Sequence, residues 1–131
     1  MSASDTTPPA RPTVLVCDDE PVLRMLVRAT LDRGAYTVVE ACDGDEALIR
    51  TRSDHPDLIL LDMMMPGRSG SDVLRELRAD PATAATPVIM LTARAQASDR
   101  EAMNSAGANH YLTKPFSPIS LAALVEEVLG L

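Results

Sequence analysis

Three carboxylates and one lysine stand at the ends of apolar runs, an unfavourable place for charge unless the charge is used. Asp62 closes the run Leu58 to Leu61 and leads into Met63-Met64-Met65-Pro66-Gly67, while Asp18-Asp19 closes the run from Thr13 to Cys17. A third run, Val88 to Leu91, ends at the hydroxyl of Thr92, and a fourth, around Tyr111 and Leu112, ends at Lys114-Pro115. Strands that run the same way present their C-terminal ends together, so these four runs predict a parallel sheet with one working edge. Carboxylates about 5 Å apart repel by ~3 kcal/mol per pair at an effective dielectric of ~20, so such a pocket calls for a proton or a cation. Mg2+ suits it, being a hard ion commonly held by one or two carboxylates together with phosphate oxygens. These residue types point to phosphoryl chemistry. Lys114 would neutralise one phosphoryl oxygen, Thr92 would donate a hydrogen bond to another, and Asp62 would act as the nucleophile that forms an acyl phosphate.

The elements that must position these groups alternate along the chain. Short β-rich runs are separated by longer stretches of helical period, five times over, with Gly, Pro, Asp or Asn at the turns. Strands are predicted at Thr13 to Cys17, Thr37 to Ala41, Leu58 to Asp62, Pro87 to Leu91 and His110 to Thr113, with helices between them. In the first helix Leu23, Leu26, Val27, Thr30 and Leu31 share one face, which leaves Arg24 and Arg28 outside. The last helix has Ser117 as N-cap and Pro118 at its first position, buries Leu121, Leu124, Val125 and Val128, and ends near Gly130. Right-handed crossovers then cover both faces, and five such strands suggest a doubly wound, flavodoxin-like α/β fold with strand order 2-1-3-4-5. In that order Asp18, Asp19 and Asp62 meet in one crevice.

The bulk properties narrow the setting. A chain of 131 residues with 46% hydrophobic residues suits one domain, read here as residues 12–131 after a flexible tail over residues 1–11. No apolar stretch approaches the roughly 20 residues of a membrane span, and the N-terminus lacks a basic-then-apolar signal, so a cytoplasmic location is expected. A net charge of −7 without a Lys/Arg cluster argues against direct nucleic-acid binding.

The motifs Val14-Leu-Val-Cys-Asp-Asp-Glu-Pro21, Pro56-Asp-Leu-Ile-Leu-Leu-Asp-Met-Met-Met-Pro-Gly67, Met90-Leu-Thr-Ala93 and Ala106-Gly-Ala-Asn-His-Tyr-Leu-Thr-Lys-Pro-Phe116 occur in a characteristic order and spacing. Together they resemble the receiver domain of two-component response regulators, over essentially everything from Pro12 to Leu131. The resemblance implies that Asp62 accepts a phosphoryl group from a phosphohistidine on a sensor histidine kinase or histidine phosphotransfer protein. It implies Mg2+ bound directly by Asp19, Asp62 and the backbone carbonyl of Met64, with Asp18 acting through water, and Lys114 paired with the phosphoryl group. A cis bond at Lys114-Pro115 and a Thr92/Tyr111 switch pair are further implications. The switch alters the surface of the fourth helix, fifth strand and fifth helix, where a downstream protein target binds, and homodimerisation is left open. Such a protein is a phosphoacceptor that assists its own phosphorylation and dephosphorylation, not an enzyme acting on a separate substrate. Met64 and Arg94 occupy positions that tune loss of the phosphoryl group, and an apolar Met64 predicts slow loss. With no effector domain after the fifth helix, the expectation is a stand-alone receiver or an excised module.

Other readings of the same residues are blander. Asp18-Asp19 before Glu20 would also serve as helix-capping acids, Thr92 as a turn hydroxyl and Tyr111 as a half-buried strand aromatic. Cys17 and Cys42 form no CxxC pair and read as small packing residues, although both lie near the ends of strands that would be neighbours. Met63 to Met65 read as loop and core packing, His55 and His110 as structural or solvated, and Glu126-Glu127 as a solvated helix face. A phosphatase with an aspartyl intermediate would want an acid two residues after its nucleophile, where Met64 stands. A dinucleotide or flavin binder would want a Gly-rich turn where Asp18-Asp19-Glu20-Pro21 stands. A receiver-like module that is never phosphorylated is disfavoured, since every site residue is in place.

Overall fold

A computed structural model describes residues 11–32, 35–93 and 96–131. The tail expected before residue 12 lies outside the described residues apart from Arg11, as does Arg94. Five strands and five helices alternate: β1 (Thr13–Cys17), α1 (Pro21–Leu31), β2 (Thr37–Ala41), α2 (Gly44–Asp54), β3 (Leu58–Asp62), α3 (Gly70–Ala79), β4 (Val88–Thr92), α4 (Ala97–Ala106), β5 (His110–Thr113) and α5 (Pro118–Leu129). All strand pairs are parallel, in the order β2-β1-β3-β4-β5. This is the doubly wound, flavodoxin-like arrangement.

Alternation along the strands divides the core in two. Leu15, Cys17, Ile59, Leu61, Val88 and Met90 face α2, α3 and Met103 of α4. Val14, Val16, Leu58, Leu60, Ile89 and Leu91 face Val27 and Leu31 of α1 and Leu121 and Val125 of α5. Every residue of β3 and β4 is buried, as expected for central parallel strands covered on both faces. Asp62 and Thr92 are therefore the last residues of strands that have no solvent-facing side. The fourth strand begins one residue later and ends one residue later than expected. Pro87 lacks an N–H and contributes only its carbonyl, accepting from Ile59 N at 3.0 Å, while the Thr92 carbonyl accepts from Lys114 N at 2.7 Å and so belongs to the ladder.

Local signals account for the helix ends. Asp43 caps α2 by accepting from Glu46 N at 2.8 Å, Ser69 and Asp72 form a reciprocal capping box at α3, and Ser117 caps α5 with Pro118 at the first position. His55 ends α2 in the left-handed region, at φ 47°. Gly70, at the start of α3, is required by space: a Cβ there would overlap the Asp62 carbonyl. The first residue of α3 is thereby pressed against the backbone of the residue that ends β3.

One expectation about α1 is corrected. Arg24 is not left outside, whereas Arg28, its side chain 42% exposed, stays at the surface as expected. Glu40, on neighbouring β2, binds both: Arg24 Nε donates to Glu40 Oε1 and Arg28 Nε to Oε2, each at 3.0 Å, and the Arg24 side chain is only 17% exposed. A charge on a neighbouring strand overrides a placement based on helical period alone.

Candidate phosphoryl and cation site

The site is built where β1, β3, β4 and β5 end. Asp18 follows β1 and is fully buried, and Asp62 ends β3 with 4% of its surface exposed. Lys114, directly after β5, reaches across to both. Its Nζ lies 2.8 Å from Asp18 Oδ2 and 3.2 Å from Asp62 Oδ1. The Lys114-Pro115 bond is cis. Asp62 Oδ1 also accepts from Met64 N at 3.2 Å, which folds the turn after β3 back over the carboxylate.

Asp18 has a hydrogen-bond partner for each polar atom. Its N–H donates to the Ala41 carbonyl at 3.1 Å, Oδ1 accepts from Glu20 N at 2.8 Å, Oδ2 accepts from Lys114, and its carbonyl accepts from Arg24 Nη1 at 2.6 Å. Asp19 and Glu20 follow it into solvent, and one carboxylate oxygen from each of Asp18, Asp19 and Glu20 lies within 4.8 Å of the others. These are hard oxygen donors, close enough together to share one small cation, with Lys114 Nζ 3.9 Å from Glu20 Oε1. The donor set fits Mg2+. Glu20 is the N-cap of α1 and makes no side-chain cap hydrogen bond, whereas Asp18 Oδ1 accepts from the Glu20 N–H, so Asp18 also steadies the start of α1.

The electrostatics follow from burial and crowding. Burial, and then the neighbouring Asp18 charge, raise the Asp62 carboxyl above its ordinary value, against the opposing pull of Met64 N–H and Lys114. Burial works against the charge of Lys114, but Asp18 and Asp62 outweigh it and its ammonium is held more firmly than usual.

Thr92 ends β4, 4% exposed, opposite Thr113 in the β4–β5 register. Tyr111 is half-buried on β5, with the Arg100 guanidinium of α4 at 5.0 Å from its ring centroid. Met63, Met64, Thr92, Ala93, Asp99, Ala102 and Met103 line a cavity of about 400 Å³ between the β3 and β4 ends and α4. Met65 is buried and packs in the core on the α2/α3 side, whereas the Met64 side chain is 80% exposed, so the methionine run is split between packing and surface. Cys17 is fully buried, with its thiol pushed well above the ordinary range by burial and then by Glu46 and Asp18; Cys42 is exposed, and both are free.

The sequence reading missed three residues. Glu20 joins the acidic cluster, Arg24 holds the Asp18 carbonyl, and Gly70 lets α3 close on Asp62. A signal existed for Arg24: a lone glutamate within the apolar strand Thr37 to Ala41 requires a cation, and Arg24 and Arg28 are one helical turn apart.

The model of the response regulator receiver domain matches residues 14–126. The chain belongs to that family. Among curated relatives, this receiver domain is 43% identical over 116 residues to the transcriptional regulatory protein ResD of Bacillus subtilis, covering 88% of this chain and 47% of ResD. It is 41% identical over 116 residues to the phosphate regulon transcriptional regulatory protein PhoB of Escherichia coli, covering 88% of this chain and 51% of PhoB. The chain thus spans about half the length of these relatives. Among solved structures, the receiver domain superimposes on Vibrio cholerae chemotaxis protein CheY4 with a TM-score of 0.87 and 32% identity, over 92% of this chain and 100% of CheY4. It also resembles the receiver domain of the Pseudomonas aeruginosa sensor histidine kinase PA1611, with a TM-score of 0.84 and 34% identity over 93% of this chain and 100% of that one. That structure holds a magnesium ion coordinated in its active site cleft. No described helix of the present chain is long and apolar enough to cross a membrane.

Proposed function

We propose that this receiver domain is a phosphorylation-dependent switch in a two-component or phosphorelay pathway, with Asp62 as the phosphoacceptor. The observation that carries the reading is the Asp18–Lys114–Asp62 arrangement at the common end of the strands, beside the acidic cluster of Asp18, Asp19 and Glu20. A carboxylate oxygen of Asp62 attacks the phosphorus of a phosphohistidine on a sensor histidine kinase or a histidine phosphotransfer protein. The P–N bond breaks, and the imidazole leaves as the new P–O bond forms. Asp19, Asp62 and the Met64 carbonyl would hold Mg2+ directly, with Asp18 behind them. Bound there, the ion offsets the crowding of negative oxygens as the phosphoryl group arrives. Lys114, already on Asp62, is placed to pair with a phosphoryl oxygen.

The phosphoryl group adds about one further negative charge and new acceptor oxygens at Asp62, which favours the arrangement that offers Thr92 and Lys114 to them. Movement of Thr92 gives the Tyr111 ring room to turn, and the α4–β5–α5 surface changes for a downstream protein target. The domain works on its own acyl phosphate and turns over no separate substrate. Cytoplasmic placement agrees with a kinase or phosphotransfer partner as donor.

Incubation with acetyl phosphate and Mg2+, followed by intact-mass measurement, tests this reading. A single added phosphoryl group is expected on the wild type and none on Asp62→Ala. Sustained turnover of exogenous phosphoesters would instead support an aspartyl phosphatase.

A further inference from the structure

We infer that Arg24 is a positioning residue for the cation site, acting through the backbone of Asp18; this rests on the function proposed above. Arg24 does not belong to the acidic cluster, yet it is the long side chain that grips the loop carrying it. Its Nη1 donates to the Asp18 carbonyl at 2.6 Å while its Nε donates to Glu40 Oε1 at 3.0 Å. The guanidinium is largely buried, with the side chain 17% exposed, so both bonds are sheltered from water.

Geometry explains why an arginine is needed. The acidic residues lie on a three-residue link between the end of β1 and the start of α1, and the carboxylates of Asp18, Asp19 and Glu20 repel one another along it. The Asp18 side chain is already committed to Lys114 and to Glu20 N. Its carbonyl is the remaining handle. A planar guanidinium offers donors in fixed directions, so one group can hold that carbonyl and a carboxylate together, which a single ammonium does less well.

Glu40 supplies the anchor. Burial acts to raise its carboxyl, but hydrogen bonds from Arg28 and Arg24, with their charges, outweigh this and keep it ionised more firmly than usual. Arg28 also donates from Nη2 to the Val38 carbonyl at 3.2 Å, tying the group to β2. The path therefore runs from β2 through Glu40 and Arg24 to the loop bearing the cation ligands. Because Glu40 balances the guanidinium, Arg24 can hold the loop without presenting an uncompensated positive charge to an incoming cation. Arg28 shares the anchor, but its hydrogen bonds go to Glu40, Asp32 and Val38.

Calorimetric titration of the full chain with MgCl2 tests the assignment. The wild type should bind one Mg2+, with binding lost in Asp62→Ala. Arg24→Ala should weaken it by about tenfold, the lower end of what removing a residue that orients metal ligands costs. Arg24→Lys should recover only part of that loss. Arg28→Ala should weaken binding less than Arg24→Ala even where its melting temperature falls as far, since Glu40 keeps its bond from Arg24 and Arg28 does not reach Asp18. Wild-type affinity in Arg24→Ala, measured where circular dichroism shows it folded, would overturn the assignment, as would an equal loss in Arg28→Ala. If Arg24→Ala does not fold, Arg24→Lys decides: weaker binding supports the role and unchanged binding refutes it. Absence of Mg2+ binding by the wild type would fault the proposed function itself, a result distinct from these.

Discussion

Lys114 Nζ lies 2.8 Å from Asp18 Oδ2, joining residues 96 positions apart and closing the end of the sheet from β1 to β5. With Asp62 on its other side, the ammonium is the counter-ion of two buried carboxylates. Replacement of Lys114 by Met keeps its length and removes its charge, leaving those carboxylates facing each other. Breaking a buried pair of this kind costs about 3 kcal/mol. The sign of the pH dependence follows from the raised Lys114 pKa: the stabilisation is complete below the unfolded-state lysine pKa and is lost as pH rises through the folded value. Urea melts of Lys114→Met and wild type should therefore differ most near neutral pH and converge at strongly alkaline pH.

Asp62 behaves in the opposite sense. Its folded pKa is raised, chiefly by burial, so its ionised form opposes folding above that pKa and the penalty vanishes as pH falls below the unfolded value. Asp62→Asn should raise the melting temperature at pH 7 by a few degrees, the response to about 1 kcal/mol at this chain length. The gain should shrink in acid as the wild-type carboxyl protonates. Equal gain at every pH would show that charge is not its source.

Gly70→Ala should be among the more damaging small substitutions near the site. The added methyl meets the Asp62 carbonyl and forces α3 away, an overpacking cost of about 1–3 kcal/mol. The same displacement moves Asp62, the proposed phosphoacceptor, so phosphorylation by acetyl phosphate should slow more than the stability loss explains. Chemical denaturation and rates of mass increase on the same variant separate the two effects.

We propose that Met64 sets the lifetime of the phosphorylated state. Its side chain is exposed and apolar and does not order an attacking water, so the acyl phosphate should persist for minutes or longer in Mg2+. Met64→Glu supplies a water-binding carboxylate and should shorten it. A lifetime of seconds for the wild type would refute the prediction.

Arg100 over Tyr111 is an exposed cation–π contact, worth about 0.5–1 kcal/mol. Its loss in Arg100→Ala should hardly alter melting but should free the ring. Tyr111 ring resonances of the unphosphorylated variant should move toward their positions in the phosphorylated wild type, an outcome NMR can read directly.

Much of this architecture was legible from the chain because apolar period and turn chemistry agree. The Leu58–Asp62 strand, the Ser117-Pro118 helix start and the order of the motifs all point to one topology, and the polar residues ending each run mark the working edge. What escaped depends on contacts between elements remote in sequence. Helical period placed Arg24 outside because it takes no account of Glu40 sixteen residues away, and the need for Gly70 appears only when α3 meets the Asp62 carbonyl. The shift of β4 toward Thr92 has the same origin, since strand ends are defined by partners and the partner here is Lys114 N. Glu20 lay beside two recognised acids, yet its membership of the cluster depends on how the chain turns after Asp18.

The placement of β5 at the margin of the sheet has a mechanical consequence. Its four residues are only half-covered and pair with a single neighbour, whereas β3 and β4 are enclosed on both faces and both flanks. A side chain on that outer strand can change its seat at the expense of one adjoining strand and a helix, while the enclosed pair stays rigid as a keel. Chemistry at the keel's tip can thus be felt on the hull without the frame being rebuilt.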